Sequence, residues 1–326
     1  MISVIVFSKD RPMQLHAYLE SLLMFSDIAE ENISVLYKKN DRIPYNRVIQ
    51  SFSKVKWIEE VNFVQQIGAL MQEAEDYILF GCDDVVFIDY FKITDIIPFL
   101  EKHDDVFGYS IRLGTNFSQI PQDIHNVDGS LVWDWKINLD DYWNYPWELD
   151  CTVYRKADAI ELYNQYADKM YNPNYFESVI AINARKIIKR KLMACAEHKI
   201  KAICITVNRV QDTHMNDFDS STQTDIYTLS SIYNEEDNKL DIKKIAAKKT
   251  NKIHVDATFF LLEKPSKKIH PNKKYSLWNH LIILLKNIKY LSTVNLQREH
   301  WDMARAIASK VEIELREEFW EGNKKE

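Results

Sequence analysis

Residues 77–87 read YILFGCDDVVF. The approach Tyr77-Ile78-Leu79-Phe80 is apolar, rich in β-formers and long enough for a buried strand. At its end stand two adjacent carboxylates, Asp83 and Asp84, and a second apolar run follows. Neighbouring negative charges at the end of a buried strand repel each other and lose hydration, so they require compensation. Three partners supply it: a cation, the N-terminus of a helix that the acids cap, or solvent. Hard divalent cations take carboxylate oxygens and bridge to phosphates, so the identity of this partner bears directly on function.

Around this stretch, strand-like and helix-like patterns alternate through the first 115 residues. Ile2 to Phe7 is an apolar, β-branched run that ends in the turn-like Ser8-Lys9-Asp10-Arg11-Pro12. Leu15, Leu19, Leu22 and Leu23 then recur at helical spacing within 13–25. Strands are expected at 33–37 and 55–58, helices at 62–75 and 90–102, and a further strand at 106–111. Such alternation predicts βαβ units, hence an α/β fold with a mostly parallel sheet flanked by helices. Ligands of such sheets bind beyond the carboxyl ends of the strands, where the Ser8–Arg11 turn and the acid pair can share one crevice. Residues 116–150 break into polar and aromatic loop. Helices near 156–168 and 176–191 and a strand at 202–207 follow, and then the polar, aperiodic stretch Gln211 to Thr224.

Composition narrows the chemistry. Of 326 residues, 46% are hydrophobic and 28% charged, enough for a real core in one large or two modest domains. The 6 Gly form neither G-x-G-x-x-G nor G-x-x-x-x-G-K-[ST], which sets aside phosphate cradling by a Gly-rich loop. Cys82, Cys151, Cys195 and Cys204 lack C-x-x-C or zinc-ligand spacing and read as reduced thiols of a cytosolic protein. The opening MISVIVFSKDRP is charged too early for a signal peptide, and no run of ~18 apolar residues is present to span a membrane. A cytoplasmic chain is expected.

The opening ISVIVFSKDRPMQLHAYLESLL resembles the first strand, nucleotide loop and helix of GT-A-fold glycosyltransferases, and YILFGCDDVVF resembles their D-x-D region. The stretches YSIRLGTN, YPWELDCTVYRKAD and NPNYFESVIAI fall in the order in which such enzymes place donor and acceptor elements. The resemblance covers about the first 215 residues. It implies a GT-A-like sheet and transfer of a sugar from a nucleotide-diphosphate donor to a glycan or lipid-linked acceptor, in an inverting reaction of surface polysaccharide biosynthesis. It also implies Mn2+ or Mg2+ as cofactor. Asp84 matches the metal-binding member of the motif and Asp83 its central residue, while Cys82 stands where the family often has an acid that touches the donor. The expected division is a catalytic domain over 1–235, with its donor part in 1–115 and its acceptor part in 116–235, followed by a basic linker and mainly helical region over 236–326. The rival reading is a glycan-binding protein on a degenerate scaffold of this kind.

Ser8, Asp10 and Arg11 fall where this fold receives the nucleotide. A guanidinium meets phosphate oxygens with paired hydrogen bonds; the alternative is an Asp10–Arg11 surface pair with Pro12 simply opening the helix. Arg112 is a second phosphate or sugar contact, or a structural ion pair. Trp133, Trp135, Trp143 and Trp147 crowd a short stretch with Tyr142, Tyr145 and several acids. Aromatic faces beside carboxylates suit an acceptor sugar, whereas a nucleic-acid site would favour basic residues between the rings; the alternative is a packed loop. Glu177, at a helix start, matches the family's base for the acceptor hydroxyl or is a first-turn acid on the helix dipole. Asp150 is the second candidate base. His214 is a late metal ligand or a packing residue.

Between residues 240 and 291, twelve Lys face only Asp241, Asp256 and Glu263. The segment 264–291 joins KPSKKIHPNKK to the amphipathic WNHLIILLKNIKYL and resembles an interfacial helix for the inner face of an anionic membrane. Its alternative is packing on the body or on a second subunit of a homo-oligomer. No nucleic-acid motif accompanies the lysines, so nucleic acid is not an expected partner.

Overall fold

The computed structural model describes residues 1–117, 120–138, 142–196, 199–208, 210 and 224–268. The expected alternation is present: β1 (Ile2–Lys9), α1 (Pro12–Phe25), β2 (Ile33–Lys38), α2 (Asn46–Ser51), β3 (Lys56–Glu59), α3 (Phe63–Glu73) and β4 (Tyr77–Cys82). These strands form the parallel wing β3-β2-β1-β4. Val4, Val6, Ile78, Leu79 and Phe80 are all fully buried. Cover on both faces explains why β1 and β4 read as continuous apolar runs rather than alternating ones. Asn62 caps α3, its side chain accepting from Gln65 N.

Downstream come β5 (Val85–Phe87), α4 (Ile93–Lys102), β6 (Val106–Ser110), β7 (His125–Val127), β8 (Ser130–Asp134), β9 (Thr152–Arg155), α5 (Lys156–Tyr166), α6 (Pro173–Ile187) and β10 (Leu192–Ala196). They extend the sheet to nine strands in the order β3-β2-β1-β4-β9-β6-β10-β8-β7. Only β9 and β8 are antiparallel to both neighbours, so the other strands of this sheet share one direction. The α/β class expected from the sequence, a mostly parallel sheet flanked by helices, is the class found. A small sheet β12-β11-β5 is completed by β11 (Ala202–Ile205) and β12 (His254–Val255), with α7 (Ile226–Asn234) and α8 (Ile242–Ala247) between them in the chain.

Several local features differ from expectation. Within the supposed loop 116–150, β7 and β8 form a hairpin whose turn places Asp128 at φ 49° and Gly129 at φ 80°. An Asp-Gly pair with both residues left-handed is the favoured two-residue hairpin turn. Helix α6 begins at Pro173, three residues early, because Asn172 caps it by accepting from Tyr175 N at 3.0 Å.

The four tryptophans do not form an exposed platform. Trp133, Trp135, Trp143 and Trp147 are each at most 1% exposed. Trp147 packs edge-on to Phe80 and Phe176 at 5.7 and 5.4 Å between ring centroids, and Trp133 meets Trp143 at 4.8 Å. Trp133 Nε1 donates to Trp143 O at 2.8 Å and Trp135 Nε1 to Arg190 O at 3.0 Å, which lets these indoles sit inside the core. The packed-loop alternative describes them.

The chain crosses position 235 without a break in packing. His16 Nδ1 lies 2.8 Å from Tyr233 OH, Lys239 Nζ lies 2.8 Å from both carboxylate oxygens of Glu20, and β12 pairs with β11. His214, residues 269–291 of the basic segment and the remainder of the C-terminal region lie outside the described residues. Among the described residues no helix is long and apolar enough to cross a membrane.

Candidate functional site

β1 and β4 are paired with Phe7 opposite Cys82, so the residues that follow each strand emerge side by side. Asp83 N donates to Phe7 O at 3.1 Å, and Lys9 N donates to Asp83 Oδ2 at 3.0 Å. The first acid is thereby fixed to the end of β1. Arg11 Nη1 stands 3.0 Å from Asp83 Oδ1 and 3.3 Å from Asp84 Oδ2. The partner of the acid pair in this structure is a buried guanidinium. Its other two nitrogens turn to one residue: Nε donates to Asn208 Oδ1 at 2.8 Å, and Nη2 to the Asn208 main-chain oxygen.

Ser8 and Asp10 build the turn that delivers Arg11. Ser8 Oγ lies 2.8 Å from Tyr45 OH, which also accepts from Arg11 N at 3.1 Å. Asp10 is left-handed, at φ 57°, and its Oδ1 accepts from Asn40 N at 2.6 Å. Aspartate tolerates that conformation better than most residues because its short side chain can bond locally. The surface Asp10–Arg11 pair is therefore not formed.

A second group of charges reaches the same end of the sheet. β9 runs against its neighbours, so residues that lead into it arrive where β4 and β6 finish. Arg112, just beyond β6, pairs with Glu148 through Nη2 and with Asp150 Oδ2 through Nη1 at 3.4 Å. The Thr152 hydroxyl donates to the other Glu148 oxygen. Glu177, the fifth residue of α6, accepts from Tyr145 OH at 2.9 Å and from Leu149 N at 3.3 Å.

Four carboxyl groups here, those of Asp83, Asp84, Glu148 and Glu177, are hard to ionise. Burial, reinforced by the Asp150 charge, pushes Glu177 up to about 8. Asp84 rises to about 6, chiefly through burial, with Arg11 opposing and Asp150 and Asp83 adding to the rise. Asp83 and Glu148 move up for the same first cause, although each has a guanidinium partner. Asp150 acts on both Asp84 and Glu177, so the two groups share one electrostatic field. Five carboxyls, those of Asp83, Asp84, Glu148, Asp150 and Glu177, face the guanidiniums of Arg11 and Arg112. The crevice is short of positive charge. Among the described residues no group of three or more His, Cys, Asp or Glu is arranged to hold a metal ion.

Ser8, Asp10, Arg11, Asp83, Asp84, Arg112, Asp150 and Glu177 are thus gathered at one end of the sheet. Arg112 sits there as an ion pair. Sequence reasoning passed over Tyr45 and Asn208, and took Glu148 only as one of the acids between the tryptophans. For Asn208 a signal existed: it is the first amide beyond the apolar β11 run, at a strand's carboxyl end. Nothing local distinguishes Tyr45.

The arrangement defines an α/β protein with an acidic, guanidinium-bridged crevice at the carboxyl ends of its central strands. Over 257 residues the chain is 28% identical to the bifunctional glycosyltransferase pgtA of Dictyostelium discoideum, a match that covers 66% of this chain and 33% of that protein. The resemblance to glycosyltransferases read from the opening strand and the acid pair is met by that relative. The chain spans about a third of the length of the curated relative it matches. No family model matches. Among solved structures, S. aureus TarS in complex with UDP-GlcNAc is 12% identical, with TM-score 0.42, over 93% of this chain and 70% of that one. The mannosyltransferase PcManGT from Pyrobaculum calidifontis, in complex with GDP-Man and Mn2+, is 10% identical, with TM-score 0.38, over 64% and 57%. Both likenesses are remote.

Proposed function

We propose that the chain transfers a sugar from a nucleotide-diphosphate donor to a glycan or lipid-linked acceptor, with inversion, in surface polysaccharide assembly. The observation that carries this reading is the convergence of Arg11, Asp83 and Asp84 with Asp150 and Glu177 in one buried crevice. The glycosyltransferase relative supports it. Burial of the four tryptophans takes them out of the acceptor site, so the acceptor meets other residues of the crevice.

A divalent cation fits this crevice: its donor set is carboxylate oxygen, and burial with like charge has already raised Asp84 to about 6. Asp84, backed by Asp83, would hold Mn2+ or Mg2+, which supplies charge neutralisation for the diphosphate. Arg11 stays beside the acids and offers Nη1 to a phosphate oxygen once a cation engages the carboxylates, a charge-assisted bond suited to a guanidinium. Glu177 takes the proton of the acceptor hydroxyl as that oxygen attacks the anomeric carbon. A carboxylate whose conjugate acid titrates near neutrality is a better base than an ordinary one. Tyr145 OH and Leu149 N hold its two oxygens in place, and Asp150, kept beside it by Arg112, raises its basicity. The exposed Lys243, Lys249, Lys252, Lys264 and Lys267 support contact of the basic segment with an anionic membrane face, which co-sedimentation with phosphatidylglycerol vesicles tests.

The decisive experiment is calorimetric binding of UDP and GDP, each with and without Mn2+, to the wild type and to Asp84→Ala. Metal-dependent binding that the variant loses is the expected result. Absence of binding to the wild type by either nucleotide under any condition would sink the donor reading.

A further inference from the structure

We infer that Asn208 is a positioning residue of the donor site, one that holds Arg11 in place when the charges around it change. The inference rests on the reading of Arg11 as a diphosphate contact. The guanidinium is divided between two kinds of partner. Nη1 lies on the carboxylates of Asp83 and Asp84, whereas Nε and Nη2 lie on the Asn208 side-chain and main-chain oxygens. The bonds to the acids depend on their negative charge and weaken once a cation or a phosphate competes there. The bonds to Asn208 are to neutral oxygens and persist. Arg11 therefore keeps its place beside the acid pair after the acids are taken.

Asn208 is itself well fixed. It is 5% exposed, and its Nδ2 donates to Thr224 O at 3.3 Å, while Thr224 N donates to Val207 O at 3.2 Å. Three residues earlier, Ile205 N donates to the main-chain oxygen of Asp84 at 2.8 Å. The grip on Arg11 and the acids that Arg11 bridges thus belong to one hydrogen-bonded unit. Only an amide or carboxylate of this length offers Nε an acceptor there, and only the amide also reaches Thr224 as a donor.

Two variants separate the roles. Asn208→Ala removes both side-chain bonds, and Asn208→Asp keeps the acceptor for Nε while losing the donor to Thr224. Binding of UDP and GDP with Mn2+ is measured for each, alone and combined with Arg11→Ala, and exchange of the Arg11 Nε proton is followed by nitrogen-15 NMR. Expected are faster Nε–H exchange and nucleotide binding weaker by at least ~10-fold in Asn208→Ala, slow Nε–H exchange retained in Asn208→Asp, and no further loss when Asn208→Ala is added to Arg11→Ala. Equally fast Nε–H exchange in both Asn208 variants, or an undiminished loss of binding in the Arg11→Ala background, would show that Asn208 does not act by holding Arg11 and overturn the inference. Wild type that binds neither nucleotide overturns the donor reading and the positioning role with it; wild type that binds while Asn208→Ala binds equally overturns the positioning role alone.

Discussion

The Tyr145 hydroxyl donates to Glu177 Oε1 across 2.9 Å, and this one bond opposes a burial penalty large enough to hold the carboxyl up at about 8. The linkage has a definite sign. In the unfolded chain Glu177 loses its proton near its ordinary value, whereas the folded chain keeps that proton to about 8. Stability from Glu177 is thus complete below the unfolded value and is lost as pH rises through about 8. Asp84, raised to about 6, adds a loss of the same sign over a lower window. The wild type should therefore melt at a lower temperature at about pH 8.5 than at about pH 5.5. Glu177→Gln, which mimics the protonated form, should remove a clear part of that difference and lower the transfer rate by ~100-fold or more. A pH–melting profile unchanged by the substitution would show that Glu177 is ionised in the fold.

Arg11 is enclosed with the acids it bridges, at side-chain exposures of 7% for Arg11 and 5% for Asp83. Removing one member of such a group leaves the others charged and unpaired, at a cost of about 3–5 kcal/mol. Arg11→Ala should lose stability on that scale by denaturant titration. It should also gain more in melting temperature from millimolar Mn2+ than the wild type does, because the acids then lack any other cation. Equal Mn2+ response in the two proteins would argue against Asp83 and Asp84 as cation ligands.

Trp147 fills the space between Phe80, Tyr154 and Phe176. Trp147→Ala should cost about 3–5 kcal/mol, whereas Trp147→Phe should fold and keep the acceptor KM. A raised acceptor KM with intact stability in Trp147→Phe would return this residue to a sugar platform.

The parallel wing was legible because β1 and β4 are buried on both faces, which writes an unbroken apolar run into the chain. The acid pair was legible for the complementary reason: charges directly after such a run have few places to go. What the sequence hid is long-range. Nothing near Arg11 says that its partners lie at Asp83, Asp84 and Asn208, since those contacts exist only after β1, β4 and β11 are brought together. The tryptophans misled because indole rings with acids between them read the same whether they face a sugar or the core, and only the side chains packed around them decide. The β7–β8 hairpin was different. Its Asp128-Gly129 signal lay in the sequence, masked by the aromatic residues that follow.

Gly81 has no side chain because Tyr18 occupies its place. A Cβ built on Gly81 would lie 2.0 Å from the Tyr18 hydroxyl oxygen and 2.4 Å from Cζ. Tyr18 is fully buried in α1, with its ring edge-on to Phe87 at 5.4 Å, so it cannot swing to solvent. Gly81→Ala must therefore displace the ring or the end of β4, and with it the strand end that carries Asp83. Overpacking of this kind costs about 1–3 kcal/mol or more, and nucleotide binding should weaken in step with stability. The Tyr18 hydroxyl has no hydrogen-bond partner among the described residues. Tyr18→Phe removes a buried, unsatisfied oxygen and should be neutral or stabilising by thermal melting. Because Cζ still crowds the position, Gly81→Ala should remain destabilising in that background. A clear loss of stability in Tyr18→Phe alone would mean that the hydroxyl has a partner, such as a buried water beneath the acid pair.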